Sequence, residues 1–190
     1  MRCFAYAALL ATVAASPALA QEKAPFTGPR VEGLVGWDRV QAQGDHDDAI
    51  GYGAAVGYDI QMGGAVVGLD AEYSDSDNRT CVGTTTAADP RLCLKSGRDL
   101  YAGARVGTVI GSSTLLYAKA GYTNAQAKLT SDDGTGQITL DKSNLDGVRV
   151  GLGAEHAVGP RSFVKAEYRY SNYEAGVERH QAMAGFGFRF

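Results

Sequence analysis

The chain has 190 residues, with 18 basic and 21 acidic side chains and a formal net charge of −3. That balance excludes a nucleic-acid partner, which would need a basic surface. The length fits one domain, and after residue 20 no run of about 18 apolar residues could form a membrane helix.

In chain order, the first element is an export signal. Met1-Arg2 is a short basic start, Cys3 to Ala15 is apolar, and Ala18-Leu19-Ala20 has the small-x-small form of a cleavage site. Residues 1–20 are read as a cleaved signal peptide and 21–28 as a short N-terminal segment. Without the leader, 17 basic residues face 21 acidic ones, a net charge near −4.

Eight segments of period two follow, over residues 30–39, 50–60, 67–74, 99–110, 116–123, 147–155, 163–171 and 179–190. In the second, Tyr52, Ala54, Val56, Tyr58 and Ile60 alternate with Gly51, Gly53, Ala55, Gly57 and Asp59. In the last, Phe186, Phe188 and Phe190 alternate with Gly185, Gly187 and Arg189. A period of two places these sets on opposite faces of a strand. Each segment has about the length a tilted strand needs to cross a bilayer.

The connections alternate in length. Residues 41–49, 75–98, 125–145 and 172–178 read as long polar loops, and 61–64, 111–114 and 158–161 as tight turns. Long loops on one side and short turns on the other are the layout of a membrane barrel. A soluble sandwich or lipocalin-like barrel shares the alternation, but its exposed face would be polar. Here the polar face is rich in glycine and in charges of both signs, while the apolar face carries Tyr, Trp and Phe. The fold expected is all-β: an eight-stranded antiparallel up-and-down transmembrane β-barrel over 29–190. Both termini would then be periplasmic.

The segments Gly33-Leu34-Val35-Gly36-Trp37, Leu115-Leu116-Tyr117-Ala118-Lys119-Ala120-Gly121-Tyr122 and Val164-Lys165-Ala166-Glu167-Tyr168-Arg169-Tyr170 resemble the eight-stranded porin-like barrels. That group includes the opacity proteins and the transmembrane domain of outer-membrane protein A. The resemblance implies a bacterial outer-membrane location, with lipid and lipopolysaccharide as surroundings and the barrel-assembly machinery as partner. Phe186, Phe188 and Phe190 are similar to the family's assembly signal. A peptidoglycan-binding domain, which follows the last strand in some relatives, is not expected here, and no cell-wall tether is inferred.

The polar face collects Asp70, Glu72, Asp99, Arg105, Lys119, Arg149, Glu155, Lys165, Glu167, Arg169 and Arg179. Buried ions must be paired or hydrated. Eight strands leave room for side chains and little else, so the charges read as a network plugging the lumen, with a narrow low-conductance channel as the alternative. Glu167 and Arg149 are expected to pair. Two cysteines, Cys81 and Cys93, remain in the exported chain, and an even count there reads as one disulfide.

No cofactor or metal is expected. Asp45-His46-Asp47-Asp48 is adjacent sequence in a loop rather than a cation cage. Asp132-Asp133-Gly134-Thr135-Gly136 reads as turn chemistry. An enzymatic barrel, such as a lipid-modifying hydrolase, would need a base beside a nucleophile. The nearest arrangement sets His180 against Ser171 or Ser162 across the last two strands. The reading is a non-enzymatic barrel with a structural or adhesion-type role carried by its outer loops.

Overall fold

A computed structural model describes residues 25–42, 45–86 and 90–190. The leader read over 1–20 lies outside the described residues. The strands are β1 (Gly28–Ala42), β2 (Asp45–Met62), β3 (Ala65–Ser76), β4 (Arg79–Val82), β5 (Arg91–Ile110), β6 (Thr114–Asp132), β7 (Gln137–Ala157), β8 (Ser162–Tyr173) and β9 (Val177–Arg189).

Each strand pairs antiparallel with the next, save where β3 passes over β4 to join β5. β1 pairs with β9 from Arg30↔Arg189 to Ala42↔Val177, and this closes the ring. Eight strands form the barrel, and the four-residue β4 is an extra strand on β5. Closure gives each strand of the ring a neighbour on both sides, which lipid cannot supply.

The period-two pattern becomes an inside-out molecule. Val35, Tyr58, Leu69, Val106, Leu152 and Phe186 are exposed on the outer face. Their neighbours Asp59, Asp70, Arg105, Gly151 and Gly153 point inward. Several inward glycines make room for large side chains. A Cβ on Gly153 would stand 2.5 Å from the Tyr117 hydroxyl, and one on Gly57 would stand 2.6 Å from Arg30 Nη2. A narrow barrel fits rings and guanidinium groups by leaving the facing position empty.

The tight turns all fall at one end. Gly63 and Gly111 there take positive φ (62° and 64°), a conformation glycine adopts without a Cβ clash. At the same end Phe26 is fully buried against Val66, Leu115 and Tyr117. Its amide donates to Gln61 Oε1 (3.2 Å), and Arg189 lies over its ring. Phe26, within the segment read as a short N-terminal lead, therefore stoppers this end of the lumen.

At the other end three expected loops are largely strand. β1 and β2 continue their ladder through 41–49, pairing Gln41 with His46. The acidic run thus lies in β2, and Asp48 accepts a 2.7 Å hydrogen bond from Arg39 Nε. That contact holds the Asp48 carboxyl below its ordinary pKa. Residues 125–145 form a hairpin of β6 and β7, turning at Asp133-Gly134, where Asp133 Oδ1 accepts from the Thr135 amide (2.9 Å). Residues 91–98 belong to β5, and the fourth connection holds a short 3-10 turn, Glu174–Gly176. Polar composition did not end these strands, because the barrel below fixes their register and each added residue completes a ladder already begun.

The register predicts opposite penalties on adjacent faces. Val150→Arg places a cation on the lipid face and should destabilise the barrel by about 2–4 kcal/mol. Gly153→Val leaves the lipid face untouched and should fail by collision with Tyr117. Urea unfolding in lipid vesicles, with Gly153→Val tested alone and combined with Tyr117→Ala, which removes both the hydroxyl and the ring edge that a Cβ at 153 would meet, checks both. Tolerance of Gly153→Val with Tyr117 intact would refute the register.

Candidate functional site: a charge-filled lumen beneath a projecting sheet

The inward face brings together eight carboxylates and eight cations, all buried. They form one alternating chain down the lumen. From the stoppered end it runs Arg189, Glu155, Arg105, Asp59, Arg30, Glu32, Lys165 and Glu167. It continues through Lys119, Glu72, Arg149, Asp99, Arg179 and Asp38 to the outer end. Asp70 joins through Arg30, and Arg169 joins through Glu72 and Glu167.

Three carboxylates are the hubs. Asp59 takes Arg30 (3.0 Å), Arg105 (2.5 Å) and Arg189 (2.8 Å). Glu72 takes Arg169, Arg149 (3.4 Å) and Lys119 (3.5 Å). Asp99 takes Arg149, Arg179 (2.8 Å), the Tyr173 hydroxyl (2.8 Å) and the Thr123 hydroxyl (2.6 Å). Arg105 and Lys119 also lie over the rings of Tyr117 and Tyr101. Equal numbers of each sign leave the buried set neutral.

The sequence-selected lumen residues Asp70, Glu72, Arg105, Lys119, Arg149, Glu155, Lys165, Glu167 and Arg169 all lie in this chain. Arg30, Glu32, Asp38, Asp59 and Arg189 join them, and alternation alone places Glu32, Asp38, Asp59 and Arg189 on the inward face. The expected pair of Glu167 and Arg149 is absent from the ion pairs. The register sets Glu167 beside Gly153 and Arg149 beside Ser171. Glu167 instead meets Lys119 (2.7 Å) and Lys165 (3.4 Å), and accepts from the Tyr117 hydroxyl (2.7 Å).

The hydrolase arrangement does not form. His180 points outward, its Nδ1 2.8 Å from the Tyr168 hydroxyl and its ring 5.0 Å from that of Tyr170. Ser171 points inward and accepts from Arg149 Nε (2.8 Å). Ser162 pairs with Phe188 near the stoppered end. Among the described residues no group of His, Cys, Asp and Glu has the geometry of a metal site.

Above the barrel, β4 to β7 form a projecting sheet. β5, β6 and β7 have 20, 19 and 21 residues, about twice the 9–11 a bilayer crossing needs. Cys81 and Cys93 are directly paired across β4 and β5 and form a disulfide. The segment between them, read from sequence as plain loop, thus includes strand at both ends. Beneath the sheet a cavity of about 560 Å³ opens between the hairpins, lined by Val40, Asn78, Leu94, Ala125, Tyr173 and Arg179. The charge network floors it at Arg179.

Solved structures share this architecture at low identity. Ail, the attachment invasion locus protein of Yersinia pestis, in complex with the heparin analogue sucrose octasulfate, is 18% identical, with a TM-score of 0.57 over 86% of this chain and 99% of that one. Neisserial surface protein A is 16% identical, with a TM-score of 0.60 over 86% and 98%. The N-terminal β-barrel domain of Pseudomonas aeruginosa OprF is 17% identical, with a TM-score of 0.53 over 86% and 98%. No curated protein matches. The family model for the outer membrane protein beta-barrel domain matches residues 6–190, and the chain belongs to that family of outer-membrane barrels.

Proposed function

We propose that this protein is a surface-interaction barrel of the adhesion type, non-enzymatic, whose lumen is plugged and whose binding resides in the projecting sheet. The observation that carries the reading is the contrast between the two halves. The membrane half spends its inward positions on a neutral, interlocked network and its outward positions on lipid contact. The outer half has strands twice the needed length with polar, exposed residues. Binding loops on a rigid scaffold are a common division of labour. The names of two similar barrels, an attachment invasion locus protein and a surface protein, support the same direction.

The topology belongs with a cleaved leader over 1–20, a barrel over 29–190 and both termini at the periplasmic end, where the tight turns lie. Phe186, Phe188 and Phe190 face lipid at that end and serve as the assembly signal read by the insertion machinery. Deleting Phe190 should slow assembly and leave protease-sensitive periplasmic material in a pulse-chase. Normal outer-membrane levels would count against that role.

The plug has two measurable consequences. Purified protein in planar bilayers should show no large, steady conductance; currents of open-porin size would replace this reading with the channel. Neutralising one partner, as in Glu72→Gln or Arg169→Gln, should destabilise the barrel by about 3–5 kcal/mol, because it strands a buried charge. The double variant should recover part of that loss in a double-mutant cycle.

Function should be separable from folding. Replacing residues 79–96 and 126–144 with short Gly-Ser turns should preserve heat-modifiable gel mobility and abolish adhesion of expressing cells to surfaces. Folding and adhesion both unchanged would leave the barrel a purely structural role.

A further inference from the structure

The strand register aligns four cations in one row. Arg79 on β4 pairs with Lys95 on β5, Lys95 with Lys128 on β6, and Lys128 with Lys142 on β7. Directly opposed residues of antiparallel strands share one face. The four side chains therefore stand side by side across about 15 Å, at the 4.7–4.9 Å spacing of neighbouring strands. Like charges placed directly opposite one another are destabilising.

No ion pair among the described residues relieves that repulsion. Among the described residues the exposed ion pair is Arg39–Asp48, and no carboxylate comes within the 4.0 Å of an ion pair with any of the four. Lys95 Nζ donates only to the Gln137 amide oxygen (3.0 Å). Asp146, on the same face, is occupied by the Tyr122 hydroxyl (2.5 Å) and the Asn124 amide (2.6 Å).

The height of the row fixes what it meets. On β6 the outward positions run Leu116, Ala118, Ala120 and Tyr122, then Asn124, Gln126 and Lys128. On β7 they run Leu152, Val150 and Val148, then Asp146, Asn144 and Lys142. Both strands leave the apolar band at the level of Tyr122 and Val148. Lys128 lies six residues further, about 20 Å along a strand and roughly 15 Å above the band after a tilt of 35–45°. Lipid headgroups end below that height. Lys128 and Lys142 continue the lipid-facing side of the barrel, so the row faces sideways into the saccharide layer of the outer leaflet, with Arg79 and Lys95 also bordering the cavity beneath the sheet.

We infer that Arg79, Lys95, Lys128 and Lys142 form a binding rung for phosphate groups on the core saccharides of neighbouring lipopolysaccharide. A flat row of four cations suits several phosphates along one sugar chain. Arg79 adds a fork that can hold a phosphate in two hydrogen bonds. The Cys81–Cys93 disulfide lies two residues beyond Arg79↔Lys95 on the same strand pair. It pins the short β4 and with it the end of the row.

The test titrates folded protein in detergent micelles with delipidated, phosphorylated core oligosaccharide. The same oligosaccharide after dephosphorylation, lipid A alone and heparin fragments of matched charge are the comparison probes. Phosphorylated core should bind most tightly, with affinity falling as salt is raised. Each of R79Q, K95Q, K128Q and K142Q should weaken it about fivefold, and the quadruple variant by on the order of 100-fold or more. K95R/K128R/K142R should retain binding, and reduction of the disulfide should mimic R79Q. Heat-modifiable mobility verifies folding, and should the quadruple variant not fold, the end positions R79Q and K142Q decide. Unchanged binding by the folded variants, or equal binding of dephosphorylated core or lipid A, would overturn the assignment. Tighter binding of heparin than of core would move the rung to a sulfated glycan of another surface and equally refute it.

Discussion

Everything in this molecule follows from the need to satisfy backbone hydrogen bonds in a medium that offers none. A strand in lipid must have a neighbour on each side, so the sheet has to close. Closing with eight strands leaves a lumen too narrow for much water and too polar to collapse on apolar side chains. The outward positions are assigned to lipid, so the inward ones must fill that space with groups that satisfy one another. Alternating carboxylates and guanidinium groups do this well, because each can bond several partners at once. The glycines opposite Tyr117 and Arg30 show the same constraint as a matter of volume.

Such a network is a poor source of net stability. Desolvating sixteen ions opposes their mutual attraction, and replacing buried pairs by apolar residues is often neutral or better in other proteins. An apolar lumen would, however, make both faces of every strand alike. A one-residue slip would then carry little penalty. With charges on one face only, the same slip exports them to lipid at about 2–4 kcal/mol for each cation near mid-bilayer. The network thus specifies register through the cost of its alternatives, and a charge-filled lumen is a by-product of that specification.

The eight crossings, their facing and the side on which the turns fall were legible because strict period two survives wherever one face meets lipid and the other meets charge. The particular ion pairs were not. Glu167 and Arg149 share a face, but which residues meet across a lumen depends on strand stagger, a property of the closed barrel rather than of any segment. Asp59 was passed over for a related reason. It is a lone acid in a glycine-rich strand, and only closure brings Arg30, Arg105 and Arg189 to it. The projecting hairpins were invisible because their composition is that of loops. The irregularities between Ser96 and Asp99, and between Leu129 and Thr130, shift the alternation partway along. Phe26 carries no periodic signal at all.

The same irregularities bear on what the outer sheet can display. Within the membrane a bulge would turn a charge toward lipid, so the ladder there has little freedom. Above it, a shift of one residue changes only which side chains share a level, and the backbone remains paired on the strands below. The row Arg79, Lys95, Lys128 and Lys142 depends on the shift at Ser96 and Asp99: without it Lys95 would fall opposite a different β6 residue and the alignment would be lost. An outer sheet held in register from beneath, pinned at one edge by a disulfide and free to take single-residue shifts, can align like charges that a membrane segment could not tolerate. The difference in side-chain composition between the two halves therefore arises from the boundary of the lipid itself.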